Sequence, residues 1–338
     1  MPTWGEILVE IGKLIDAAKK QFPPPTISPF DVVRRKYLAQ LNAHTGRPVI
    51  LYASKWTQGG ADPAGTSMTA EDMHGFMEVM HGVTGPSLDF VIHLPGGTAE
   101  ATEALVTYVR SKFSDVRVIV PHAAMSAATM FACSAERIVM GKHSFLGPID
   151  PQFIIRNELG VSSVPAHAIL EQFAQAQKEC KDPSLLPSWL PILRQYGPAL
   201  IVQCRLAQQL SETLVSDWLA RYMFAKTPNG KALAEQIGRD LSNHATFKSH
   251  GRFISRDQAR GLGLVIDDLE SDQKLQDLVL SVFHASAHAF NATPVIKLIE
   301  NHRGKAYIKQ QGMVLVHQGQ VPPGVVPPGA GGPPPGPP

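Results

Sequence analysis

The 338-residue chain is 44% apolar and 18% charged, an ordinary globular balance that can bury a sizeable core. Its formal net charge is +2, with no basic stripe, which argues against a nucleic-acid partner. Cys133, Cys180 and Cys204 are odd in number and lack metal-ligand spacing, so buried thiols in a reducing compartment are expected, with no metal and no cofactor.

Residues 1–22 lack a basic start followed by an apolar run, and they carry Glu6, Glu10, Lys13 and Asp16. No stretch offers the roughly 18 apolar residues of a membrane span, so a cytoplasmic protein is expected. Residues 3–21 read as an amphipathic helix, with Ile7, Leu8, Ile11, Leu14 and Ile15 at helical spacing. Its mixed-charge polar face favours docking on protein rather than on a membrane surface. Pro23-Pro24-Pro25 ends it.

Residues 47–53 look like a buried strand, followed by a polar, glycine-containing loop over 58–66. Thr69 offers a helix N-cap with acids in the first turn. A second strand over 88–94 ends at Pro95-Gly96-Gly97, after which Thr98 can cap a helix over 99–113. A third strand over 116–120 runs into Pro121 and a small-residue segment around Ser126. A helix over about 126–135 leads to a fourth strand over 137–140. This alternation argues for parallel crossover units in an α/β domain.

After Pro151 the pattern turns helical, over 165–181, 198–226 and 232–241, giving an expected helical insertion at about 165–240. A short helix over 255–262 precedes a strand-like 263–266. A helix over 275–290 and a turn at Pro294 lead to residues 295–301. The organisation expected is a helix and Pro-rich linker over 1–29, a catalytic domain over 30–305, and an extension over 306–338. From about residue 321 that extension is Pro/Gly-rich and expected to be disordered.

Two features stand at the carboxyl ends of consecutive expected strands, where open α/β sheets place their sites. A double glycine, Gly96-Gly97, lets backbone N–H groups approach a ligand. Ser126 lies on a tight strand-to-helix turn among Ala123, Ala124, Ala127 and Ala128, which suits an exposed nucleophile. The helix N-terminus behind it favours a developing oxyanion, with the N–H groups of Gly97 and Ala127 as donors. Taken alone, a serine at a helix start is more often only a cap.

Residues 88–97, then Ala124-Met125-Ser126-Ala127-Ala128-Thr129-Met130, then residues 137–152 with Leu146-Gly147-Pro148-Ile149-Asp150-Pro151-Gln152 form three distinctive blocks. Together they closely resemble the serine dehydrogenase proteinase family, grouped with protease IV and signal peptide peptidase A among the Clp-fold serine proteases. Residues 249–259 and Gly261-Leu262-Gly263-Leu264-Val265 continue the resemblance, which spans about 30–305. It implies a Clp/crotonase-type α/β fold of repeated ββα units with a helical C-terminal part. It also implies Ser126 as nucleophile, main-chain oxyanion donors at Gly97 and Ala127, and a homo-oligomer acting on peptide or protein substrates. Relatives often carry glycine where this chain has Ala128, and the extra methyl is expected to narrow the site.

Serine needs a base. The register that holds a histidine in the Clp proteolytic subunit falls here near Ile149 and Asp150, which makes Asp150 a candidate orienting acid. The register of a downstream lysine in a related branch falls near His167. His143, His167, His250 and Lys142 are therefore all candidates, as is a base shared between subunits, a substrate-assisted reaction or no base at all. His93 and His122 flank the two turns and read as structural. The leading reading is a serine endopeptidase. The alternatives are a crotonase-like acyl-CoA enzyme, in which Ser126 would be incidental, and a non-catalytic Clp-fold scaffold.

Overall fold

A computed structural model describes residues 3–157 and 160–312. The expected tail from residue 321, and the part of the extension beyond residue 312, lie outside the described residues.

Seven strands form the central sheet: β1 (Val49–Ser54), β2 (Ser87–His93), β3 (Asp115–Val120), β4 (Arg137–Met140), β5 (Ile266–Asp268), β6 (Val295–Asn301) and β7 (Ala306–Gln310), in the order β5-β4-β3-β2-β1-β6-β7. The pairs from β5 to β1 are parallel, and β6 and β7 add antiparallel edges beside β1. All six residues of β1 are buried, as in a sheet covered on both faces. Ala306–Gln310 thus extends the sheet past residue 305.

One face is covered by α1 (Trp4–Lys19), α2 (Pro29–Thr45) and, near the C-terminus, the long helix Gln273–Ala292; Ile7, Leu38, Val91 and Val279 share that core. Thr3 and Glu6 close a capping box that starts α1. Ile7 and Ile11 are buried within the fold, so α1 docks on protein as expected, while Leu8 and Val9 stay exposed. Proline at the start of α2 and a left-handed Gly46 at its end mark that helix.

The opposite face is covered by α3 (Asp72–Met80), α4 (Ala99–Arg110), α5 (Ala127–Cys133) and part of the helical region after residue 165. Thr98 caps α4 by accepting from Ala101 N–H at 3.2 Å. The helical region contains α6 (Ala166–Glu179), α7 (Leu200–Trp218) and α8 (Gly230–Ser242), and α7 runs into a π-turn at Leu219–Met223. It is preceded by a two-stranded hairpin, Gln152–Asn157 with Gly160–Pro165. Across the carboxyl end of the main sheet lies a small second sheet of Ala123–Ala124, Phe145–Leu146 and Ile254–Ser255. Among the described residues no helix is long and apolar enough to cross a membrane.

Candidate active site

Ser126 links Ala124 to α5 with φ 52° and ψ −119°. A positive φ at a non-glycine residue costs about 1–3 kcal/mol and persists only where its surroundings over-determine it. Here the small second sheet does so. Leu94 N–H donates to Ala123 C=O at 3.2 Å, and Met125 N–H donates to Leu94 C=O at 3.0 Å. The Thr129 hydroxyl donates to Ala124 C=O at 2.8 Å and accepts from Gly147 N–H at 3.0 Å. Among the described residues the half-buried Ser126 side chain makes no capping bond to α5, so it is not spent as a helix cap.

The same bonds set the Ser126 turn against Pro95-Gly96-Gly97. Gly96 has φ 112°, and a β-carbon there would stand 2.7 Å from Ser126 Cβ. A β-carbon on Gly97 would stand 2.1 Å from the Met68 carbonyl oxygen. Close approach requires glycine at both positions, and at Gly96 the positive φ requires it as well. Ser126, Ala127, Gly96, Gly97, Met68 and His250 line one cavity of about 590 Å³, and Met130, Ile149, Phe153, Ile154 and Leu210 make much of its wall apolar. Ala128, the position expected to narrow the site, is instead fully buried in the core and is not part of this lining.

Asp150, next in the chain to the cavity-lining Ile149, is buried at 1% exposure. Its Oδ1 lies 2.8 Å from His250 Nδ1 and its Oδ2 lies 2.8 Å from His244 Nδ1. Gln152 Nε2 donates to Oδ2 at 3.1 Å. A carboxylate is acceptor-only, so each imidazole presents Nδ1–H to it, which in a neutral ring leaves Nε2 as the acceptor. His250 thereby joins an oriented imidazole to the cavity that holds Ser126.

Residues 68–188 match the ClpP-like SDH-type serine proteinase family. The fold is accordingly the expected α/β, Clp-type arrangement. Two uncharacterized proteins of Methanocaldococcus jannaschii are similar to the chain. One is 33% identical over 99 residues, 29% of this chain and 31% of that protein. The other is 28% identical over 180 residues, 53% of each. The chain thus spans about half or less of the length of these curated relatives. A solved structure of a membrane-bound stomatin-specific protease, in mutant form, aligns at 13% identity over 60% of this chain and 75% of that one, with a TM-score of 0.35. The matched segment holds Met68, Gly97, Ser126, Ala127 and Asp150, and stops before His244 and His250.

The other candidate bases stand elsewhere around this segment. His143 is exposed and lines a separate cavity of about 240 Å³ with Pro121, His122, Phe283 and His284. Lys142 is exposed, and its N–H donates to Glu270 Oε1 at 2.7 Å. His167 on α6 faces Glu171 at 3.5 Å and lies against His244, with ring centroids 5.7 Å apart and the rings tilted by 34°, and it does not line the Ser126 cavity. His93 is buried against Trp56, His122 and Phe283, and burial pushes its pKa down to about 3, with the nearby His122 adding to the effect. Burial likewise lowers the His122 pKa. His93 is thus a neutral packing group, and in both rings burial disfavours the charged form. Arg252 donates to Phe247 C=O at 3.4 Å, while Asp257 is reached by Arg256 at 3.4 Å and Asp267 by Arg137 at 3.7 Å.

His244 escaped the sequence reading, and a shared carboxylate 94 residues away leaves no local signal. Lys297 also escaped it. This fully buried lysine on β6 bonds Asp72 at 2.8 and 2.9 Å and the Ser67 carbonyl at 2.6 Å, directly beside the cavity wall.

Proposed function

We propose that this protein is a serine endopeptidase that cleaves peptide bonds through an acyl-enzyme on Ser126. The observation that carries the reading is the oriented imidazole of His250, held on buried Asp150 and lining the same cavity as an uncapped, strained serine. In this reading His250 Nε2 takes the proton from Ser126 Oγ as it attacks the scissile carbonyl. Asp150 holds the tautomer and stabilises the imidazolium, which then gives its proton to the leaving amine. The N–H groups of Gly97 and Ala127 receive the oxyanion; Ala127 is the first residue of α5, where backbone donors lack intrahelical acceptors. Water then hydrolyses the ester. The match of residues 68–188 to a serine proteinase family supports the same chemistry.

An acyl-CoA enzyme or a scaffold would need neither the strained serine nor the imidazole–carboxylate pair, so both readings are less well supported. The apolar wall formed by Met130, Ile149 and Leu210 favours a substrate segment with apolar side chains. Exposed Ile154, Val161, Leu190 and Val202 on the hairpin and the helical region support burial between copies of the chain, in keeping with a homo-oligomer. A cytoplasmic location belongs to the same proposal.

The test is hydrolysis of an unstructured, apolar-rich peptide set followed by mass spectrometry. Cleavage by the native protein, abolished in Ser126→Ala, supports the reading. Cleavage that persists in Ser126→Ala overturns it.

A further inference from the structure

Lys297 is 0% exposed and Asp72 1% exposed, and neither is part of the cavity lining, although Ser67 beside them is. Burial lowers the Lys297 pKa from its ordinary value, while the Asp72 carboxylate, bonded through both oxygens, opposes that fall. Tyr52 OH and Thr69 N–H also donate to Asp72 Oδ2, at 2.6 and 2.9 Å. The carboxylate is thus well supplied, and the third Lys297 bond goes elsewhere, to Ser67 C=O at 2.6 Å.

That carbonyl belongs to the Ser67–Met68 peptide group. The N–H of the same group, Met68 N–H, donates to Gly96 C=O at 2.7 Å. Gly96 C=O in turn belongs to the Gly96–Gly97 peptide group, whose N–H is that of Gly97. Peptide groups are planar and conjugated, so a donor fixed on the oxygen sets the plane and strengthens the N–H dipole at the other end. A cation therefore stands at the head of a line of two peptide groups that ends at the Gly97 N–H. The contact is tight all along, since Gly97 has no room for a β-carbon against Met68.

We infer that Lys297 is a positioning residue of the oxyanion hole, its ammonium orienting and polarising the Gly97 N–H through the Ser67–Met68 and Gly96–Gly97 peptide groups. This rests on the reading of Ser126 and Gly97 given above. Lys297 touches no substrate. Its effect appears only as charge develops on the carbonyl oxygen, so it belongs to the transition state and not to substrate binding. Asp72 and Tyr52 hold the ammonium in line.

The experiment compares the native full-length chain with Lys297→Met/Asp72→Asn, which removes the relay without leaving a lone buried charge. A second variant replaces Met68 by its α-hydroxy acid, which deletes the Met68 N–H and leaves the ion pair intact. Two readouts are taken: peptide-hydrolysis kinetics, and the infrared carbonyl stretch of an acyl-enzyme formed with an aryl ester. The expected result for both variants is a fall in kcat of about tenfold or more with KM within about twofold, and an acyl carbonyl stretch moved to higher wavenumber. An unchanged carbonyl stretch and kcat in the Met68 variant overturn the inference while leaving the serine peptidase reading intact. A native protein that forms no acyl-enzyme overturns both. If the double variant does not fold, the hydroxy-acid variant decides alone.

Discussion

His250 Nδ1 lies 2.8 Å from Oδ1 of Asp150, a carboxylate buried at 1% exposure whose other oxygen holds His244 at the same distance. One acid beneath two imidazoles is more orientation than a structural histidine needs, and only His250 reaches the Ser126 cavity. His250→Gln and Asp150→Asn are each expected to lower kcat by about 10²–10⁴-fold with little change in KM. Steady-state kinetics on a cleaved peptide check this. His143→Gln, at the separate cavity, is expected to stay near native activity.

Gly97 meets the Met68 carbonyl, not a movable side chain, so Gly97→Ala has nowhere to go. Overpacking of this kind costs about 1–3 kcal/mol. The variant is expected to unfold at lower denaturant and to lose activity beyond what its folded fraction explains. Equilibrium unfolding and activity measured on the same sample separate the two effects.

Removing one partner of a buried ion pair strands the other. Lys297→Met leaves the Asp72 carboxylate buried with Tyr52 OH and Thr69 N–H as donors, and is expected to cost about 3–5 kcal/mol. Lys297→Met/Asp72→Asn is expected to recover most of that loss. Urea unfolding of both variants checks the order.

His93 is buried with its pKa pushed from 6.5 to about 3. The unfolded chain binds a proton there below pH 6.5 while the folded chain does not, so folding stability falls as the solution is acidified through that window. Each pH unit below it removes about 1.4 kcal/mol from this one group. His93→Phe is expected to flatten the dependence of the unfolding midpoint between pH 6.5 and 5, measured by thermal unfolding against the native chain.

Much of the scaffold was legible because it is local. Strands β1 to β4 are short, mostly apolar and rich in β-branched residues, Thr98 is a helix cap in both pattern and geometry, and the turn at Ser126 is written in its alanines. α2 was not read, because its charged residues blur the helical period: Arg34 is buried in a pair with Glu300 on β6, a compensation invisible in the sequence. The hairpin over 152–165 was missed because two strands that pair only with each other, one half exposed, carry little alternation. The expected single helix over 198–226 ends early in a π-turn at Leu219–Met223. In the site, Ser126, Gly97 and Asp150 stand in recognisable segments. The partners of Asp150 lie 94 and 100 residues along the chain, and Lys297 lies 225 residues from Asp72, so only the fold brings them together.

The central claim is that Ser126 is a nucleophile activated in place. The most direct measurement is reaction of the native protein with a fluorophosphonate, digestion, and location of the adduct by mass spectrometry. The account predicts a single adduct on the peptide containing Ser126, absent in Ser126→Ala and strongly slowed in His250→Gln. A folded native protein that takes no label, or that carries it on another residue, would contradict it.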